Sequence, residues 1–293
     1  MNADQERPSR PSAPRTEGPA HPTAGIRRPT SRASRFAALH HADAPLLLPN
    51  AWDHASAALL AAEGFEAIGT TSLGVAAAAG LPDGAAATRD LTVRLARRLG
   101  AGPYLLSVDA EDGFGQDPDE VAGLARELAV AGAVGVNLED GLGPADSHAA
   151  KIAAVRAAVP DLFVNARTDT HWLGDGTDER ETLRRLDLYQ QAGADCVFVP
   201  GLTDPARISA LVKSLDVPLN ILYSPSGPSV AHLADLGVRR VSLGSLLYRR
   251  ALGAVLDAVG DIRAGRPARG TAPTYDEVQA FSRKDADRTG DNG

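Results

Sequence analysis

Ser107-Val108-Asp109-Ala110-Glu111-Asp112-Gly113, Val136-Asn137-Leu138-Glu139-Asp140-Gly141 and Asn165-Ala166-Arg167-Thr168-Asp169 decide the reading of this chain. Each stretch closes a short apolar run with acidic or basic side chains, and the first two lie about thirty residues apart. That spacing fits a strand, a crossover helix and a second parallel strand. Carboxylates repeated where buried strands run out converge on one end of a parallel sheet, which is how a hard-cation site is built.

Working outward, β-rich runs fall at residues 46–48, 67–70, 104–108, 134–138, 162–165, 196–199, 219–222 and 238–242. Helix-patterned stretches separate them, among them 118–131, 147–158, 178–192, 205–214 and 229–236, and Gly132, Gly193 and Gly237 stand where left-handed stops are expected. Eight strands with intervening helices predict a (β/α)8 TIM barrel. The competing doubly wound sheet would carry Gly-x-Gly-x-x-Gly after its first strand, but Pro49-Asn50-Ala51-Trp52-Asp53 stands there. Residues 1–33, rich in Pro, Ser, Arg and Ala, read as a disordered extension. Residues 34–260 read as the barrel, and 261–293 as a polar tail with a short helix around 274–282.

Composition narrows the function. A net charge of −7 gives no footprint for nucleic acid, and no apolar run reaches the roughly 18 residues of a membrane span. The extension has no continuous apolar segment of the secretory kind. The single cysteine, Cys196, excludes an internal disulfide and a cysteine-rich zinc site, so a reducing, cytoplasmic setting is expected. Cys196 lies within a predicted strand and reads as core. Lysine occurs only at 151, 213 and 284. The first two fall in predicted helices and the third in the tail, which speaks against a Schiff-base mechanism.

At the C-terminal strand ends of a barrel, Asp109 and Glu111, Glu139 and Asp140, and Arg167 and Asp169 follow three neighbouring strands, whose side chains can meet at one ion, and an all-oxygen set favours Mg2+, or Mn2+, over zinc. Arg167 can clamp a carboxylate or phosphoryl group. Helix capping or pairing with surface arginines remains an alternative for any single acid. The small-residue segment 71–90, with Gly74, Gly80 and Gly84, reads either as a mobile lid carrying Asp83 or as an Ala-rich helix packed on the barrel. Ser224-Pro225-Ser226-Gly227 and Gly244-Ser245 follow the last two strands, where barrels often hold phosphate; turn and cap roles explain them equally. His148 and His171 follow acid-bearing strands and are assigned surface positions.

Together the motifs resemble the isocitrate lyase/phosphoenolpyruvate mutase superfamily. The matching stretches include Leu48-Pro49-Asn50-Ala51-Trp52-Asp53, Thr70-Thr71-Ser72-Leu73, Gly80-Leu81-Pro82-Asp83 and Asp109 through Gly115. Gly132 through Asp140, Asn165 through Asp169, Pro218-Leu219-Asn220 and Gly237 through Gly244 complete the likeness. The resemblance implies a barrel whose last helix is swapped between subunits of a dimer or tetramer. It implies Mg2+ at the positions matching Asp109, Glu111 and Glu139, directly or through water, chelating a 2-keto acid or related carboxylate. By the same likeness Thr71, Ser72 and Leu73 hold the substrate carboxylate, with Asp109 and Asn220 also at the substrate. Asp83 falls on the gating loop, and Arg167 on the substrate-binding arginine.

One segment departs from the pattern. Lyases of this type carry Lys-Lys/Arg-Cys-Gly-His after the glutamate that closes the fourth run, whereas Gly141-Leu142-Gly143-Pro144-Ala145-Asp146-Ser147-His148 stands here. The expectation is a lyase or mutase acting on a C–C or P–C bond through a stabilised enolate, with Ser147, His148 or a water returning the proton. A metal-free phosphosugar isomerase or synthase and a ligand-binding homologue without turnover are the rivals.

Overall fold

Every apolar run named above forms a strand in the computed structural model, which describes residues 31–174 and 178–281. The strands are β1 (Leu46–Leu48), β2 (Asn50–Ala51), β3 (Ala67–Thr70), β4 (Leu105–Asp109), β5 (Ala133–Glu139), β6 (Phe163–Arg167), β7 (Cys196–Val199), β8 (Leu219–Leu222) and β9 (Arg240–Ser242). All pair in parallel, in the order β1-β9-β8-β7-β6-β5-β4-β3-β2. β1 and β2 are two halves of one segment parted at Pro49, which has no N–H to give to a ladder. β1 pairs with β9 and β2 with β3, while the Pro49 carbonyl accepts from Gly69 N at 2.8 Å. The split first strand therefore links both ends of the sheet, and the architecture is the (β/α)8 barrel.

The helices are α1 (Arg32–Leu39), α2 (His54–Ala62), α3 (Ser72–Ala78), α4 (Arg89–Leu99), α5 (Pro118–Val130), α6 (Ala145–Ala158), α7 (Glu179–Gln191), α8 (Pro205–Ser214), α9 (Val230–Asp235) and α10 (Leu246–Arg263). α5 shows how locally they are specified. Asp117 caps the Asp119 N–H, Pro118 opens the first turn, and Asp119 and Glu120 face the positive end of the dipole. Val121, Leu124, Ala125 and Leu128 recur on one buried face, and Gly132 (φ +98°) ends the turn in the left-handed region.

Three strands run further than the apolar pattern predicts, β5 among them, which reaches Glu139. β4 reaches Asp109 and β6 reaches Arg167, because backbone pairing of Asp109 with Asn137 and of Glu139 with Arg167 continues the ladder past the last apolar residue. A polar side chain facing an open barrel end is no penalty there.

The other end of the barrel is sealed by α1. Phe36 is fully buried among Leu48, Ala67, Leu105, Val134, Phe163 and Cys196. Gly135 makes the room, since a Cβ there would lie 2.8 Å from the Phe36 ring. The Phe36 and Phe163 rings meet edge-on at 5.2 Å, and His40 stacks on Phe163 at 4.1 Å. Ser31 caps α1, and the Arg32 guanidinium donates to the Tyr104 carbonyl at 2.5 Å. Residues 31–33 thus belong to the folded unit, not to the extension; residues 1–30 lie outside the described residues. At the other terminus α10 continues past residue 260 and a short helix covers 275–281, with the chain from 282 outside the described residues. No helix among the described residues is long and apolar enough to cross a membrane.

Candidate active site

A cavity of about 640 Å³ opens at the C-terminal strand ends. The ladder delivers three of its wall groups directly, because Asp109, Glu139 and Arg167 are the last residues of β4, β5 and β6. The Asp109 backbone N–H donates to Thr70 Oγ1 at 2.8 Å, and its Oδ2 accepts from the Ser72 N–H at 3.1 Å. Burial pushes the Asp109 carboxyl up; Arg167 pulls the other way, and the nearby Asp83 adds to the rise.

Arg167 holds two acids at once. Its Nη1 lies 2.5 Å from Glu139 Oε2 and its Nε donates to Asp169 Oδ1 at 2.6 Å. Burial raises the Glu139 carboxyl to about 8 against the pull of Arg167, with Asp109, Asp169 and Glu111 reinforcing the rise. Glu111 sits in the left-handed region (φ +48°), a strained setting for a residue with a Cβ. Its carboxylate accepts from Thr88 Oγ1 at 2.5 Å and from the Ala86 N–H at 3.3 Å, and burial raises it as well.

Asp109, Glu111 and Glu139 therefore line one cavity, as the sequence implied, but each has a different partner. Among the described residues no three His, Cys, Asp or Glu side chains form a ready-made metal cluster. Arg167 draws Glu139 aside, while Thr88 and Ala86 draw Glu111 toward the loop before α4.

Segment 71–90 divides into a helix and a loop. Ser72–Ala78 is the Ala-rich helix α3, in which Gly74 is buried with no room for a Cβ beside Trp52 and Thr71. The loop beyond carries Asp83 between Gly80 (φ +70°) and Gly84 (φ +69°), and Asp83, Thr71, Ser72 and Leu73 all reach the cavity wall. Asn220 does not. It is fully buried on β8, where its Nδ2 donates to Ser242 Oγ at 3.0 Å, and Ser242 lines the cavity in its stead. The Asn220 amide is held by Ser242 inside the barrel. Gly244 and Ser245 line the cavity, whereas Ser224 and Ser226 bond each other at 3.1 Å.

The wall beyond β5 holds the two side chains named as proton donors, Ser147 and His148, and adds Lys151. α6 begins at Ala145, close behind the strand, so Ser147, His148 and Lys151 all face the cavity. Lys151, set aside in the sequence as a helix residue, is buried and donates to the Asp112 carbonyl at 3.0 Å. His148, assigned to the surface, is buried against Tyr189 and has no partner at Nε2. Burial lowers its imidazole to about 4, so it is neutral at physiological pH. The i, i+4 spacing of Ser147 and Lys151 is the signal that pointed to one helix face. Behind them Asp140 accepts from Arg185 Nη1 at 2.8 Å, Tyr189 Oη at 2.7 Å and the Leu142 and Asp169 N–H groups at 3.0 Å each. Burial alone would raise Asp140, but these bonds hold it below its ordinary value. It serves as a structural tie between strand ends. Asn50, also unforeseen, accepts from the Gly244 N–H at 2.8 Å and donates to the Thr70 carbonyl at 2.7 Å, joining the loops on either side of the split strand.

Comparison with known proteins agrees with this geometry. Residues 36–263 match the family model of phosphoenolpyruvate phosphomutase. An uncharacterized protein of Mycobacterium tuberculosis is 43% identical over 250 residues, covering 84% of this chain and 95% of that one. A 2-methylisocitrate lyase of Bacillus subtilis is 31% identical over 217 residues, covering 69% of this chain and 71% of the lyase. A solved phosphonopyruvate hydrolase, in complex with oxalate and Mg2+, shares the fold at TM-score 0.76 and 24% identity, over 89% of this chain and 98% of that one. The barrel, its acid-bearing strand ends and these likenesses lead to one conclusion: this chain belongs to the phosphoenolpyruvate phosphomutase family of the isocitrate lyase/phosphoenolpyruvate mutase superfamily, and is an enzyme of its lyase or mutase type.

Proposed function

We propose that the enzyme makes or breaks a C–C or P–C bond of a small 2-keto acid or related carboxylate through an enolate, with Mg2+ (or Mn2+ in its place) as cofactor. The observation that carries this reading is the crowding of Asp109, Glu111 and Glu139 in one cavity opposite Arg167. Burial and mutual repulsion raise all three carboxyls, so a bound cation would relieve the site. Mg2+ commonly uses one or two carboxylates and keeps several waters, so Asp109 and Glu139 with intervening waters suit it without a closed triad. The phosphonopyruvate hydrolase with oxalate and Mg2+ lends support. An ion held there supplies Lewis-acid stabilisation of charge developing on the keto oxygen.

The chain's own groups supply the rest. Arg167 anchors the anion, the Ser72 N–H and neighbouring Thr71 and Leu73 orient its carboxylate, and closure of the loop bearing Asp83 excludes water. Ser147 and His148, both on the cavity wall, are the side chains that could return a proton. The test is calorimetric titration of Mg2+ with oxalate. Asp109→Ala should abolish Mg2+-dependent oxalate binding with the barrel still folded. Unchanged affinity would remove Asp109 from the metal set, and equal oxalate binding without metal would favour the phosphate-type, metal-free reading that Gly244 and Ser245 support.

The assembly we propose is a cytoplasmic homo-oligomer, a dimer or tetramer. Leu252, Val255, Leu256, Val259 and Ile262 are exposed along α10 at helical spacing, an apolar face that a second copy would cover.

A further inference from the structure

Below the rim, the barrel interior holds a polar layer that none of the steps above uses. Side chains two residues apart on a strand share a face, so Asn137 and Asn165 sit one layer beneath Glu139 and Arg167. Arg240 on β9 enters the same layer. It is fully buried, has no ion pair among the described residues, and leaves its Nη1 unpartnered. Its Nη2 lies 3.0 Å from Asn137 Oδ1, and its Nε 3.2 Å from Ser242 Oγ. Asn165 Nδ2 donates to the same Asn137 Oδ1 at 2.9 Å.

A guanidinium has donors only, so the Asn137 atom facing it must be the oxygen. Arg240 thereby fixes the amide's orientation and turns Nδ2 away from the barrel core. Asn137 lines the cavity; its Nδ2 has no hydrogen-bond partner among the described residues and is not among the polar atoms sealed from solvent. The result is an open amide donor in the floor of the site, level with Asp109 in the ladder and backed by a buried cation. Carboxylates dominate the rim and repel anions, whereas this point attracts an acceptor oxygen.

We propose that Asn137 contacts the substrate, its Nδ2 donating to the innermost oxygen of a small carboxylate, and that Arg240 and Asn165 are positioning residues that pin its Oδ1. This rests on the anionic-substrate reading of the same cavity. Asn137→Asp is the discriminating variant, because it keeps the shape and gives Arg240 a carboxylate while replacing the open donor with an acceptor.

The experiment titrates Mg2+ alone, then oxalate with and without Mg2+, and records melting temperature in oxalate, pyruvate, glyoxylate and phosphate. Asn137→Asp should bind Mg2+ at least as tightly as wild type and keep its melting temperature, yet bind oxalate about a hundredfold more weakly. Should that variant misfold, Asn137→Ser, which also lacks the amide donor, should lose about tenfold or more. Arg240→Met, which frees the amide to turn, should weaken oxalate binding per folded molecule. Arg240→Gln, which can still donate to Oδ1, should recover most of it, a pattern that loss of packing alone would not give. Oxalate affinity unchanged in both Asn137 variants would overturn this inference and leave the metal reading standing. Anion protection that is independent of Mg2+ in wild type and lost in Asn137→Asp would uphold it while removing the metal. Protection of wild type by none of the four anions would overturn both.

Discussion

Cys196 and Lys151 show how far a residue's identity and its role can separate. Cys196 lies in β7 against Phe36, and burial pushes its thiol up to about 12, leaving almost no thiolate at neutral pH. Cys196→Ser should cost about 1–3 kcal/mol by burying a hydroxyl. Turnover per folded molecule should stay near wild type, and alkylation under native conditions should be slow. A loss of activity above about a hundredfold, with circular dichroism unchanged, would place the thiol in the chemistry. Lys151 is the opposite case. Its position within a helix hid a buried ammonium at the cavity wall, because which way a helical residue faces depends on what packs beside the helix.

At the scale of elements, α1 is the piece that the sequence reading cut short. Phe36→Ala should cost about 3–5 kcal/mol, since it empties a site enclosed on all sides. Truncation through residue 30 should leave the melting temperature within a few degrees of wild type, whereas truncation through residue 39 should remove the seal and lower it sharply. His40, stacked in the same seal, has its imidazole lowered by burial to about 3 from an ordinary 6.5. The unfolded chain therefore binds the extra proton first, so this contribution to stability is intact above pH 6.5 and is lost as pH falls toward 3. Urea unfolding at steps between pH 7 and 4 should show that decline, and His40→Leu should flatten it. An identical slope in the variant would assign the decline to other groups, such as His148, which burial lowers to about 4.

At the scale of the whole molecule, the exposed apolar stripe on α10 has no counterpart in a monomer's needs. Val255→Glu with Leu256→Glu should shift the protein to a smaller species in analytical ultracentrifugation while leaving its secondary structure intact. A wild type that already sediments as a monomer would show that the stripe is not an interface between copies.

The alternation of apolar runs and helix patterns, the glycine stops at 132, 193 and 237, and acids at successive strand ends were enough to specify the barrel and the end that bears the site. These are local properties: burial on both faces selects β-rich runs, and caps and left-handed turns act within a few residues. Asp109, Glu111, Glu139 and Arg167 could be placed on the cavity wall because strand ends project to one end of a barrel whatever the rest of the chain does, whereas Asp83 was placed from the glycine-rich segment that carries it. What the tertiary structure alone decided is where side chains go once they compete for partners. Arg167 takes Glu139, Asn220 stays below the rim with Ser242, and Lys151 and His148 turn inward from a helix. Arg240 reaches across the barrel to Asn137, 103 positions away in the chain. Such pairings are set by how strands and helices from distant parts of the chain pack side by side and across the barrel, and no pattern within one segment records them.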